Sequence, residues 1–107
     1  MQYHAHVYLD PQQLQQATQL YRELGRLQVQ LGRIHTRPVG PHPKPMFQVV
    51  FSESEYSRLH DWLELNRNGL DILVHKETGN HWLDHTAHVE WLGQPLDLRL
   101  EVFAAGN

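Results

Sequence analysis

The 107-residue chain contains no cysteine. That absence excludes a disulfide framework, a thiolate metal site and a cysteine nucleophile. Lysine is scarce, with only Lys44 and Lys76, and the net charge is −3 with histidine counted as neutral. No basic stripe remains to grip a phosphate backbone, so nucleic acid is not an expected partner. No apolar run is long enough to span a bilayer. The first residues lack the basic, apolar and small-residue succession of a secretory leader. A soluble cytoplasmic protein with no membrane partner is the expectation. The length suits one domain, residues 1–107, built around a single modest core.

Against these absences histidine stands out. There are nine, at positions 4, 6, 35, 42, 60, 75, 81, 85 and 88, dispersed rather than consecutive. With no thiol available, a transition-metal site must be built from imidazole and carboxylate. Imidazole suits iron, zinc, copper or nickel.

Apolar periodicity orders the chain. In QYHAHVYLD, Tyr3, Ala5, Val7 and Leu9 share one parity and His4, His6 and Tyr8 the other, as in a strand with one apolar face. Asp10-Pro11 is a helix start, and Leu14, Ala17, Tyr21 and Leu24 recur at helical spacing up to Gly25. LQVQLGRIHT reads as a second strand, with a bulge expected at Gly32 that turns Ile34 inward. MFQVVF reads as a third, with Phe47, Val49 and Phe51 inward. Ser52 with Glu55 matches a capping box. Tyr56, Leu59 and Leu63 continue a helix that Asn68-Gly69 closes. LDILVH is a fourth strand, with Leu70, Ile72 and Val74 on one face and Asp71, Leu73 and His75 on the other. Residues 80–93 suggest a short helix, and LDLRLEVF, 96–103, alternates as a fifth strand.

The order β-α-β-β-α-β predicts an α+β, ferredoxin-like sandwich with a C-terminal extension and an extra strand. The expected spatial order of the first four strands is 4-1-3-2, with strands one and three in parallel and strand four antiparallel beside strand one. His75 then falls near His4, and the loop before strand three carries His42 to the same end. His4, His6 and His75 share the face opposite the helices. At ~3.3 Å rise per residue, His4 and His6 have Cβ atoms about 6.6 Å apart, close enough to converge on one ion. The segment RPVGPHPKPMF explains itself in this setting. Prolines fix φ and lower the entropy lost on ordering, so a stiff loop can present His42. A helix over 80–90 would put His81, His85 and His88 on one stripe, with Trp82 and Trp91 as apolar walls. His60, beside Asp61, and His81 read as surface.

The stretches YHAHVY, GRIHTRPVGPHPKPMFQV, LNRNGLDILVH and DHTAHVEWLG together resemble the bacterial and fungal DOPA 4,5-dioxygenase family. The resemblance runs from Tyr3 to about Leu98, and its histidine positions correspond to His4, His6, His35, His42, His75, His85 and His88. It implies a ferredoxin-like domain, a non-haem iron and an enzyme that opens a catechol ring beside its two hydroxyls, with O2 as co-substrate. It does not say which histidines ligate; that assignment rests on topology. The expected site has Fe(II) on His4, His6 and His75, with zinc or another divalent ion able to use the same donors. Asp71 and Glu90 are the carboxylates weighed as further ligands, and an all-histidine set is preferred. His42, His85 and His35 are the expected acid–base groups. Arg37, His88 and Tyr8 are expected to contact substrate, Arg37 by clamping a carboxylate. A fifth strand at 96–103 would allow pairing across a two-fold axis in a homodimer.

Three other readings compete. A non-catalytic metal or ligand module would bind zinc or copper and consume no oxygen. An RNA-binding domain of the same topology needs exposed aromatics on its central strands and basic flanks, which this chain lacks. A haem-degrading or quinol monooxygenase rests on fold analogy alone.

Overall fold

The computed structural model describes residues 1–104. Strand β1 (Gln2–Tyr8) is followed by a 3-10 turn and helix α1 (Leu14–Gly25). Then come β2 (Gln30–Leu31), β3 (Met46–Ser52), a second 3-10 turn and α2 (Tyr56–Asn66). The chain ends with β4 (Ile72–Glu77), α3 (His81–Asp84), β5 (Val89–Leu92) and α4 (Glu101–Ala104). One antiparallel sheet has the order β2-β3-β1-β4-β5, the ferredoxin-like arrangement extended by a fifth strand.

Local chemistry accounts for the element ends. The Gln13 side chain accepts from the Asp10 backbone N–H at 2.9 Å, and Glu55 does the same for Ser52 at 3.3 Å. Each closes the orphan donors of a helix start. Asn68 and Gly69, at φ 55° and 81°, turn the chain out of α2 through the left-handed region. The apolar parity of β1, β3 and β4 meets the inner stripe of both helices. Ala5, Val7, Phe47, Val49, Ile72 and Val74 pack with Ala17, Leu20, Leu24, Leu59 and Leu63 in one buried core. Full burial of each Leu or Val there contributes ~1.5–3 kcal/mol.

Four expectations need correction. Strands one and three are antiparallel, with Tyr3 opposite Phe51 and Val7 opposite Phe47. The α1 crossover returns β2 parallel to β1, and the β2–β3 reversal then inverts β3. The proline loop therefore enters β3 beside Tyr8, not beside His4. Strand two is only two residues long, because Gln28 at φ 60° breaks the extended run. The bulge does form. Leu31 pairs with Val49 and His35 bridges Met46, so four steps on one side match three on the other. Helix three stops at Asp84, and His88 leads directly into β5. The fifth strand is 89–92, paired with β4, and not 96–103. With the outer edge of β4 already taken, Leu96 and Leu98 lie across the sheet face against Tyr8, Met46 and Leu73 as a second apolar cluster. The strand on which two-fold pairing was to rest is thus absent.

No helix among the described residues is long and apolar enough to cross a membrane.

Candidate metal centre

The centre is built on the sheet face away from the helices. His4 of β1 lies directly opposite His75 of β4, with ring centroids 5.3 Å apart. His6 is one pleat further along, 6.0 Å from His4, and its Nε2 lies 3.0 Å from Nε2 of His75. The proline loop brings His42 over from the Tyr8 end until its ring is 4.1 Å from His6. The turn after α3 brings His85 to 4.3 Å from His75. His6, His42, His75 and His85 are all buried, and His4 is half-buried.

Two groups of three have ligand atoms within 4.8 Å of one another: His4, His6 and His75, and His6, His42 and His85. His6 belongs to both. Among the described residues no carboxylate completes either group. Glu90 instead accepts from Tyr56 and bonds His60 at 2.8 Å, and Asp71 accepts from the Gln94 backbone N–H at 2.8 Å.

The other ring nitrogens decide which lone pairs face the centre. His75 donates Nδ1–H to the Lys76 carbonyl at 2.6 Å, and His85 donates Nδ1–H to the His81 carbonyl at 2.8 Å. His4 presents Nδ1 to the Glu77 carboxylate at 3.2 Å. In a neutral imidazole with Nδ1 protonated, Nε2 carries the lone pair. This outer-shell pattern is the one that metal-binding histidines use. Burial holds these imidazoles neutral. It lowers His75 to about 4 and His42 to about 3, with neighbouring histidines adding to the effect, and it lowers His4, His6 and His85 as well.

His6 supplies the test of fit to a cation. Its Nδ1 is buried with no hydrogen-bond partner. A buried imidazole nitrogen left without a partner, beside the Nε2 lone pairs of His75 and His85, fits a donor set for a borderline divalent metal. The 3.0 Å between the His6 and His75 nitrogens also matches adjacent ligands with bonds of about 2.0–2.1 Å.

The remaining candidates separate. Tyr8 is buried and its hydroxyl bonds His42 Nδ1 at 2.7 Å. His88 bonds Asp84 at 3.2 Å and lines a cavity of about 250 Å³ with His75, Tyr3, Tyr56 and Glu90. His35 sits at its bridge to Met46 and lines an apolar cavity with Leu9, Leu14 and Ile34, outside both three-histidine groups. Arg37 is exposed and joins neither group nor any cavity wall described here. Of the tryptophans, Trp91 belongs to the second apolar cluster and stacks over Tyr8, whereas Trp82 is 46% exposed and lines an open cavity with His81.

Sequence reasoning missed two carboxylates. Asp84 is fully buried and accepts from the Thr78 hydroxyl at 2.7 Å and the Thr78 backbone N–H at 2.8 Å. These bonds outweigh the burial that would raise its pKa, so Asp84 stays ionised next to His85. Glu77 orients His4. A Thr six residues before an Asp is the only trace of the first in the sequence; Glu77 shares the parity of His75 and so was legible, but it lies two residues past the apolar run LDILVH at which the strand was ended.

The C-terminal segment covers the centre. The Arg99 backbone N–H donates to the Pro41 carbonyl at 2.7 Å, and Phe103 lies 4.9 Å from His85. Beside this cover a cavity of about 340 Å³ has His85 in its wall, with Val89, Trp91, Leu96 and Leu98.

A crystal structure described as that of a "putative dioxygenase" from Nostoc punctiforme superposes with a TM-score of 0.95 at 44% identity, over 99% of this chain and 93% of that one. The DOPA 4,5-dioxygenase of Amanita muscaria is 32% identical over 67% of this chain and 32% of its own length. An uncharacterized 21.2 kDa protein of Botryotinia fuckeliana is 32% identical over 89% of this chain and 58% of its own length. The chain thus spans less than two thirds of either fungal protein. The model of the Dopa 4,5-dioxygenase family matches residues 3–102, and the chain belongs to that family.

Proposed function

We propose that this chain is a non-haem iron(II) dioxygenase that opens the ring of DOPA or a related catechol in extradiol fashion. Membership of a dioxygenase family supports an oxidoreductase acting on a small molecule with O2. The observation that carries the finer reading is the pair of Nε2 lone pairs on His75 and His85, each fixed by an Nδ1–H bond to a backbone carbonyl, beside His6 with its unpartnered Nδ1 and His4 held 3.2 Å from the Glu77 carboxylate.

His4, His6 and His75 would hold the ion. Ferrous iron held there would supply Lewis acidity and redox chemistry towards a catechol and dioxygen. The chain's own residues do the rest. Val89, Trp91, Leu96 and Leu98 offer an apolar wall to an aromatic ring. His85, in the wall of that cavity, has a free Nε2 to take the proton of a catechol hydroxyl. Its Nδ1–H bond to the His81 carbonyl then stabilises the imidazolium that forms. Asp84, ionised and adjacent in sequence, favours the same charge.

The test is anaerobic reconstitution with Fe(II), addition of L-DOPA and admission of oxygen. Stoichiometric oxygen uptake with a new yellow product supports the proposal. Tight metal binding without oxygen uptake across a panel of catechols refutes it and leaves a metal-binding module.

A further inference from the structure

We infer that Tyr8 fixes His42 as a hydrogen-bond donor with its proton on Nε2, so that His42 is neither a metal ligand nor the proton acceptor of the site. The consequence for catalysis rests on the proposed function; the protonation pattern itself does not.

The inference follows from counting donors and acceptors around one buried hydroxyl. Tyr8 is 1% exposed. Its apolar neighbours on this face include Met46, Leu73 and Trp91. Its hydroxyl makes one hydrogen bond among the described residues, to His42 Nδ1 at 2.7 Å. A buried phenol must place its proton on an acceptor. Among the described residues its one partner is Nδ1, so the O–H donates and Nδ1 carries the lone pair. A neutral imidazole in that state has its proton on Nε2. Both partners are buried, Tyr8 at 1% and His42 at 5% exposure.

The pattern is the reverse of its neighbours. His75 and His85 keep their proton on Nδ1 for backbone carbonyls and turn a lone pair to the centre. His42 turns an N–H. The group His6, His42 and His85 therefore has only two lone pairs to offer, and the cation belongs with His4, His6 and His75. An N–H on a neutral imidazole stabilises negative charge on oxygen without giving up its proton, since loss of that proton would leave an imidazolate. His42, 4.1 Å from His6 and 6.0 Å from His85 by ring centroids, is placed to act on oxygen held between them. Tyr8 is its positioning residue.

The test is a long-range proton–nitrogen correlation spectrum of the nitrogen-15-labelled full chain, free of metal and near neutral pH. The His42 signals are identified by their loss in His42→Gln. The expected result is Nδ1 in the unprotonated range and Nε2 in the protonated range for His42, with the opposite pattern for His75 and His85. Tyr8→Phe should pull the two His42 nitrogens towards averaged shifts. Addition of Zn2+ should move the signals of His4 and His75 and leave the Nε2 proton of His42 in place. A protonated Nδ1 in the unaltered chain overturns the inference, and so does loss of the His42 Nε2 proton on Zn2+ binding. Both are read without any catechol, so a failure of the ring-cleavage proposal leaves the result standing.

Discussion

Lowering the pH should unfold the metal-free chain through its buried histidines. His75 and His42, 1% and 5% exposed, titrate at about 4 and about 3 in the folded protein, against 6.5 for an ordinary imidazole. Below 6.5 the unfolded chain takes up protons on these rings and the folded chain does not. Their contribution to stability is therefore complete above that value and is lost as the pH falls towards the folded values. The differences correspond to ~3 kcal/mol for His75 and ~5 kcal/mol for His42. They do not add, because a proton on one ring repels a proton on the next. A single such term is still a large part of the roughly 5–15 kcal/mol that holds a domain of this kind together. Asp84, whose carboxyl lies below its ordinary 3.8, adds a further loss only at more acid pH. The assay is urea unfolding of the metal-free chain at constant ionic strength from about pH 8 to about pH 4. The midpoint should fall by more than ~1 M. In His42→Gln, which has no proton to gain, the curve should be shallower. A midpoint that stays flat down to about pH 4 would refute the reading of these rings as buried and neutral.

Further predictions concern single side chains. His6→Ala should abolish Zn2+ and Fe(II) binding by calorimetry whichever three-histidine group is used, because His6 is shared by both. Glu77→Gln, which weakens the hold on His4 Nδ1, should lower metal affinity ~10–100-fold and leave the fold intact by circular dichroism. Asp84→Ala should cost about 2–3 kcal/mol in urea unfolding, since the buried Thr78 N–H and hydroxyl lose their acceptor; an unchanged midpoint would remove Asp84 from the account.

Much of this was legible in the sequence because it is local. The alternation of residues 3–9 gives β1, puts Ala5 and Val7 in the core and sets His4, His6 and Tyr8 on the other face. The spacing of Leu59 and Leu63, and of Ala17, Tyr21 and Leu24, gives the helix faces that cover the sheet, whereas Leu14 of the same series is exposed and Leu20, outside it, joins the core. The parity of LDILVH puts His75 on the histidine face. Alternation at 96–103 misled, because an extended segment laid across an apolar face needs the same period as a strand. VEWL was the shorter run, but it had the free edge of β4.

The residue types and their faces were thus determined by the sequence itself, since side-chain period follows from backbone geometry within a few residues. What only the tertiary structure decided is which atoms meet. The antiparallel pairing of β1 with β3 sends the proline loop to Tyr8, and so makes Tyr8 the partner of His42. The turn at 78–85 buries Asp84 beside His85. Tautomers depend on which oxygen lies within hydrogen-bond distance of each ring. Those oxygens come from Lys76, His81, Glu77 and Tyr8, and only the last two are side-chain oxygens, so no pattern of residue types could have revealed the set.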